Sequence, residues 1–246
     1  MPGMAQSITH RHLKVPQEIE LTGVRRFHDG FAMQAMQRRG IMKHWTRVAL
    51  GLLVVALTTV GCATQGPPGD GWVTLLDGSA ASMNSNWIST GDKANWRSED
   101  GVIVADKGGK GSGMLLTKGA YKDFQIWAEF WAADDTNSGI FIRASDPKTI
   151  TSKNAYEVNI YDQRPDPSYG TGAIVDVAKV NPMPKAGGKW NTFLITAKGP
   201  NMIVVMNGVE TVNANDSRHS AGPFALQFGG GASGPIKWRK VMVRPL

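Results

Sequence analysis

From Trp72 onward the chain predicts an all-β domain, a sandwich or barrel of antiparallel sheets. Two observations carry this: short alternating segments rich in Val, Ile, Trp and Phe, and Gly and Asn punctuation between them. A third is the lack of any sustained helical period, so the strands have no crossover helices to make them parallel. Trp72–Leu76 is the first strand. Trp96–Ala105 holds Asp100-Gly101 at its centre, a two-residue hairpin signal. Met114–Leu116, Phe124–Ala132, Gly139–Ala144 and Tyr156–Asp162 follow. Trp190–Lys198 precedes a second hairpin, Met202–Val212, turning at Asn207-Gly208. Phe224–Phe228 and Ile236–Val243 close the domain. No self-similar period appears, which argues against a propeller or solenoid. Gln163–Lys189, with four prolines and four glycines, is longer than a mere connection and is expected to act as a functional cover.

The front of the chain reads as an address. Of 246 residues, 27 are Lys or Arg and 20 Asp or Glu, a net +7. Residues 1–61 hold eight basic and three acidic side chains, net +5, which leaves nineteen against seventeen, net +2, for the rest. A nucleic-acid footprint needs its charge on the folded domain, so no nucleic-acid partner is expected. Lys43 and Arg47 precede Val48–Val60, thirteen residues without charge. That run is too short to cross a bilayer and fits a secretory signal. It ends at Thr59-Val60-Gly61-Cys62, small residues leading into the sole cysteine, like a bacterial lipobox. The expected organisation is a spurious or disordered extension over 1–41, a lipoprotein signal over 42–61, and a lipid-anchored flexible linker over 62–71. Lipidation at Cys62 would hold the chain to a membrane of the cell envelope. Ala63 after the cysteine favours the periplasmic side of the outer membrane.

Alternation splits each strand by face. Phe124, Ile126, Ala128 and Phe130 face a core, leaving Gln125, Trp127, Glu129 and Trp131 opposite. Tyr156, Val158 and Ile160 likewise leave Glu157, Asn159 and Tyr161, and Phe141 and Arg143 share a face. If the first two of these strands fold about Thr136, Glu129 faces Arg143; if the next pair folds about Ile150, Arg143 faces Glu157. The expected result is a row Glu129–Arg143–Glu157 flanked by Trp127, Trp131, Phe141 and Tyr161. Aromatic platforms beside carboxylates and Arg suit a sugar. The bland reading is a solvated charge ladder. His219 alone survives in the mature domain and reads as an exposed loop residue. Asp134, Asp135, Asp162 and Asp176 make a divalent metal conceivable, but no spacing commands one, and no cofactor is expected.

The ordered motifs Trp72–Gly78, Trp96–Val104, Asp123–Phe130, Asn137–Arg143, Tyr156–Ile160, Thr171–Ile174, Lys189–Thr192, Gly222–Gln227 and Trp238–Leu246 resemble the 3-keto-disaccharide hydrolase family of bacterial envelope proteins. The resemblance covers residues 72–246. It implies a concanavalin A-like antiparallel jelly-roll β-sandwich and a carbohydrate substrate oxidised to a ketone at C3. It implies removal of the C2 proton, elimination of the C1 substituent, and hydration. Carried over by motif, Glu157 is the base, Arg143 the enolate stabiliser, and Glu129 the acid or an orienting carboxylate, with the two glutamates exchangeable. Trp127, Trp131, Phe141, Asn159, Tyr161 and Gln227 would bind substrate. Asn159 stands where the family often has Gln, Trp131 where it often has a basic residue, and Phe228 where many members have His. The alternatives are a non-catalytic carbohydrate-binding module and an envelope scaffold whose aromatic face binds a protein.

Overall fold

The computed structural model describes residues 66–90, 94–106, 112–229 and 234–246. The extension, the signal, Cys62 and the first linker residues lie outside the described residues. The described strands are β1 (Val73–Leu76), β2 (Trp87–Ser89), β3 (Asn95–Glu99), β4 (Val102–Asp106), β5 (Gly113–Thr117), β6 (Phe124–Ala132) and β7 (Asn137–Ile142). They continue as β8 (Tyr156–Tyr161), β9 (Trp190–Lys198), β10 (Asn201–Met206), β11 (Val209–Asn215), β12 (Ala225–Phe228) and β13 (Ile236–Pro245). One short helix, α1 (Ala80–Asn86), follows Ser79, whose side chain accepts from the Ser82 amide as its N-cap.

Two antiparallel sheets result. The first runs β11-β10-β9-β6-β13-β4-β3, with β1 also paired to β13; the second runs β2-β5-β12-β7-β8. Both expected hairpins form. Asp100 and Gly101 have φ of 50° and 75°, and Asn207 and Gly208 have 50° and 83°, the double left-handed turn that joins twisted strands without splaying them. Between the sheets lies one apolar core: Phe124, Ile126, Phe130, Phe193 and Trp238 of the first meet Ile140, Tyr156, Val158, Leu226 and Phe228 of the second. Burying each such side chain contributes about 1.5–3 kcal/mol. The expected core faces of β6 and β8 are therefore the observed ones.

The expected register is not. β6 and β7 do not pair; they lie in different sheets, and Glu129 faces Thr192 on β9 and Lys240 on β13. The turn between them is tied elsewhere, the Thr136 hydroxyl donating to Pro235 O at 2.8 Å. β7 and β8 do pair, but as Phe141↔Glu157 and Gly139↔Asn159. That is a two-residue slip in pairing from the expected register, which keeps the faces and changes the partners.

The long segment after β8 runs along the edge of the second sheet. The Asn159 amide donates to Ala173 O, Gly172 to Asn159 O and Val175 to Glu157 O, each at 2.8–3.0 Å. The backbone groups of the edge strand β8 are thereby paired instead of left open to other chains.

Candidate active site

Sheet pairing places two rows of side chains across the outer face of the second sheet. One is Leu116, Ala225, Phe141, Glu157; the other is Met114, Gln227, Gly139, Asn159. The apolar members form a second buried cluster, Met114, Leu116, Phe141 and Ala225, with Ala144 and Ala155 from the flanking loop. Glu157 is thus a carboxyl at the end of an apolar row. It has no ion pair or side-chain hydrogen bond to any described residue. Burial, and then the charge of Asp176, push its pKa up from 4.5 to about 7. Such a group exchanges a proton at neutral pH, the condition for general acid–base work.

Beside it the surface is notched. A Cβ on Gly139 would sit 2.9 Å from Val158 O and 3.5 Å from the Glu157 side chain, so no larger residue fits without displacement. The missing side chain opens the sheet floor between Gln227 and Asn159. Gln227 is buried with an unpartnered Oε1, an acceptor open to a ligand hydroxyl in that notch. Asn159 is already committed, its Nδ2 donating to Tyr169 O at 2.5 Å. Tyr161 continues this face, with the Arg164 guanidinium 5.8 Å from its ring centre and 4.8 Å from that of Tyr169.

The structure divides the other expected site residues. Glu129, Trp127 and Trp131 lie on the outer face of the first sheet, across the core from Glu157. Glu129 is 3 % exposed, with Arg239 Nη1 at 2.7 Å from its Oε1. The Arg239 guanidinium stacks 3.8 Å above the Trp190 ring. Burial pushes the Glu129 carboxyl up, and Arg239 and Lys240 draw it partly back.

Arg143 joins neither face. It follows β7 with φ of 54°, a left-handed step that breaks the alternation and turns the side chain inward. There, 1 % exposed, it donates from Nε and Nη2 to Lys122 O at 2.8 and 2.6 Å. Its Nη1 reaches Gly199 O at 2.7 Å and its Nη2 reaches Asp123 at 3.2 Å. The expected three-residue row therefore does not form. Arg143 spends its donors on carbonyls, and Glu129 neutralises a different arginine.

Sequence reasoning missed two members of this neighbourhood. Gly139 was legible as a glycine inside a strand, a mark of close approach. Asp176 was not: it comes to Glu157 only because the edge segment runs along β8. Asp162, a conceivable metal ligand, instead clamps that segment, accepting from Thr171 Oγ1 at 2.5 Å and from the Ala186 and Gly187 amides at 2.8 Å. Among the described residues no three His, Cys, Asp or Glu side chains gather around one point. His219 is half-buried rather than exposed, its ring edge-on to Tyr156 at 5.0 Å.

Fold and face together define a jelly-roll sandwich with a neutral-range carboxyl on one outer sheet. Residues 71–244 match the family described as the 3-keto-alpha-glucoside-1,2-lyase-like domain, and the chain belongs to that family. Two Parabacteroides distasonis proteins, each provisionally described as a glycosyl hydrolase, share the fold. One is 21 % identical with a TM-score of 0.58, over 72 % of this chain and all of its own. The other is 19 % identical with a TM-score of 0.60, over 72 % and 94 %. A Bacillus subtilis carbohydrate-binding module of family CBM66 is 16 % identical with a TM-score of 0.51, over 65 % and 95 %. None of the curated proteins matches this chain.

Proposed function

We propose that the protein cleaves glycosides already oxidised to a ketone at C3, with Glu157 as the base. The observation that carries this is the Glu157 carboxyl, titrating at about 7 beside the Gly139 notch. A C3 ketone acidifies the C2 proton, so a base of this strength suffices to take it. The electron pair of the C2–H bond moves into an enolate, whose oxygen accepts a hydrogen bond from the Gln227 Nε2–H. The enolate then expels the C1 substituent, the C1–O1 bond breaks, and the departing oxygen takes a proton from the Glu157 acid or from water. Water adds across the resulting C1–C2 double bond, so that the net reaction is hydrolysis. Tyr161 supplies apolar surface near the ring, and the buried Phe141 packs beside Glu157 in its row. The lipobox-like segment supports export and anchoring through Cys62, with the domain facing the periplasm from the outer membrane.

Residues 64–246 incubated with a 3-keto-glucoside and its unoxidised parent test the reading, with aglycone release as the readout. Turnover of the oxidised glycoside alone, lost in Glu157→Gln, is expected; equal turnover of both, or activity in the variant, refutes it. One observation favours a second reading, a carbohydrate-binding module: the other glutamate expected at the site, Glu129, lies on the far sheet. That reading predicts sugar binding without turnover, retained in Glu157→Gln.

A further inference from the structure

The outer face of the first sheet carries a second constellation, unrelated to Glu157. Along β13 it presents Lys237, Arg239, Lys240 and Arg244. Three of the four cations stack on half-exposed indoles: Lys237 lies 5.0 Å from the centre of Trp131, Arg239 3.8 Å from Trp190, and Arg244 4.8 Å from Trp72. Glu129 neutralises Arg239. Lys237 and Arg244 have no acidic partner among the described residues, and Lys240 faces Glu129, whose direct ion pair goes to Arg239. The carboxylates on the neighbouring strands, Glu99 and Asp106, are both held by Arg97, and Glu210 lies on the edge strand β11. From Lys237 to Arg244 the cations span eight residues of strand, seven steps or roughly 23 Å.

The chain enters the domain at one end of this stripe. Arg244 Nη1 donates to Pro68 O and Asp70 O at 3.4 and 3.1 Å, and Trp72 Nε1 donates to Pro68 O at 3.1 Å. Only three residues lie between Cys62 and Gly66, four chain steps with a reach of at most about 14 Å. We propose that this face lies against the surface of an anionic bilayer, the lysines meeting lipid phosphates and the indoles seating at headgroup level. Cations near such a surface add attraction, and Trp is favoured at the interface. The proposal rests on the anchored reading for its direction of approach, and on charge and geometry for the contact itself.

The test uses residues 64–246, which lack Cys62 and form a compact unit holding both described sheets. Co-sedimentation is measured with vesicles of phosphatidylethanolamine and phosphatidylglycerol, and with vesicles of phosphatidylcholine alone. Binding to the anionic vesicles only is expected, weakening with salt and falling at least tenfold in Lys237→Glu/Lys240→Glu. The reversal Lys148→Glu/Lys179→Glu, with the same net charge but outside this face, should retain most of the binding. Unchanged thermal unfolding shows that both variants are folded, and Lys237→Gln/Lys240→Gln replaces the first if it is not. Equal loss in both reversals, no binding, or capture by a soluble polyanion with vesicles ignored overturns the proposal. Glycoside turnover is not part of the readout, so the catalytic reading fails or stands separately.

Discussion

Glu157 sits on an apolar sheet row without a counterion, and its consequences reach both rate and stability. Its pKa of about 7 sets the acidic limb of the pH–rate profile, activity rising as the carboxylate forms. Glu157→Gln removes the base while keeping the volume, and kcat should fall about a thousandfold with substrate affinity within a few-fold. Stability moves the other way. The folded state holds this proton more tightly than the unfolded chain, so the contribution is fully present below pH 4.5 and is lost as pH rises through about 7. Denaturant titration should find Glu157→Gln more stable than the parent at pH 8, by about 2 kcal/mol after solvent screening of a half-buried group. The two should converge at pH 4. Gly139→Ala tests the notch: its Cβ would meet Val158 O at 2.9 Å, and KM should rise at least fivefold. A KM equal to that of the parent would mean substrate does not reach the sheet floor.

At the scale of the element, the segment running along β8 is what couples Asp176 to the site. Asp176 adopts φ of 59°, which Asn tolerates almost as well as Asp. Asp176→Asn therefore removes a charge with little change of backbone. Its repulsion is the second cause of the raised Glu157 pKa, so the acidic limb of the pH–rate profile should move to lower pH. A limb that stays in place or moves up would disconnect the two carboxyls. What alternation reveals stops at this scale. The core faces of β6 and β8 and both hairpins were legible, because period and turn chemistry are local. The β6–β7 link was not. A short turn can close a hairpin or carry the chain from one sheet to the other, and both leave the same pattern in each strand. Here Thr136 is bonded to Pro235, a distant partner that strand spacing does not reveal.

Across the whole molecule the two outer faces are separate surfaces joined only through the core, which splits the expected constellation. Glu157, Phe141, Asn159, Tyr161 and Gln227 share one outer face; Glu129, Trp127 and Trp131 belong to the opposite one. Arg143 shows why composition misleads, since guanidinium serves a carbonyl staple as well as an oxyanion. Its donors bind carbonyls at Lys122, Gly199 and His219, joining the approach to β6, the β9–β10 turn and the loop before β12. Arg143→Ala leaves those carbonyls without their donor at the end of the sandwich. Removing one member of such a buried network costs about 3 kcal/mol, and for a domain of this size Tm should fall by about 6–12 °C. Below that melting range kcat should stay within about threefold of the parent. An enolate-stabilising arginine would behave in the opposite way, losing 100-fold or more in kcat with little change in Tm. Measuring both quantities on one variant therefore decides which role this side chain has.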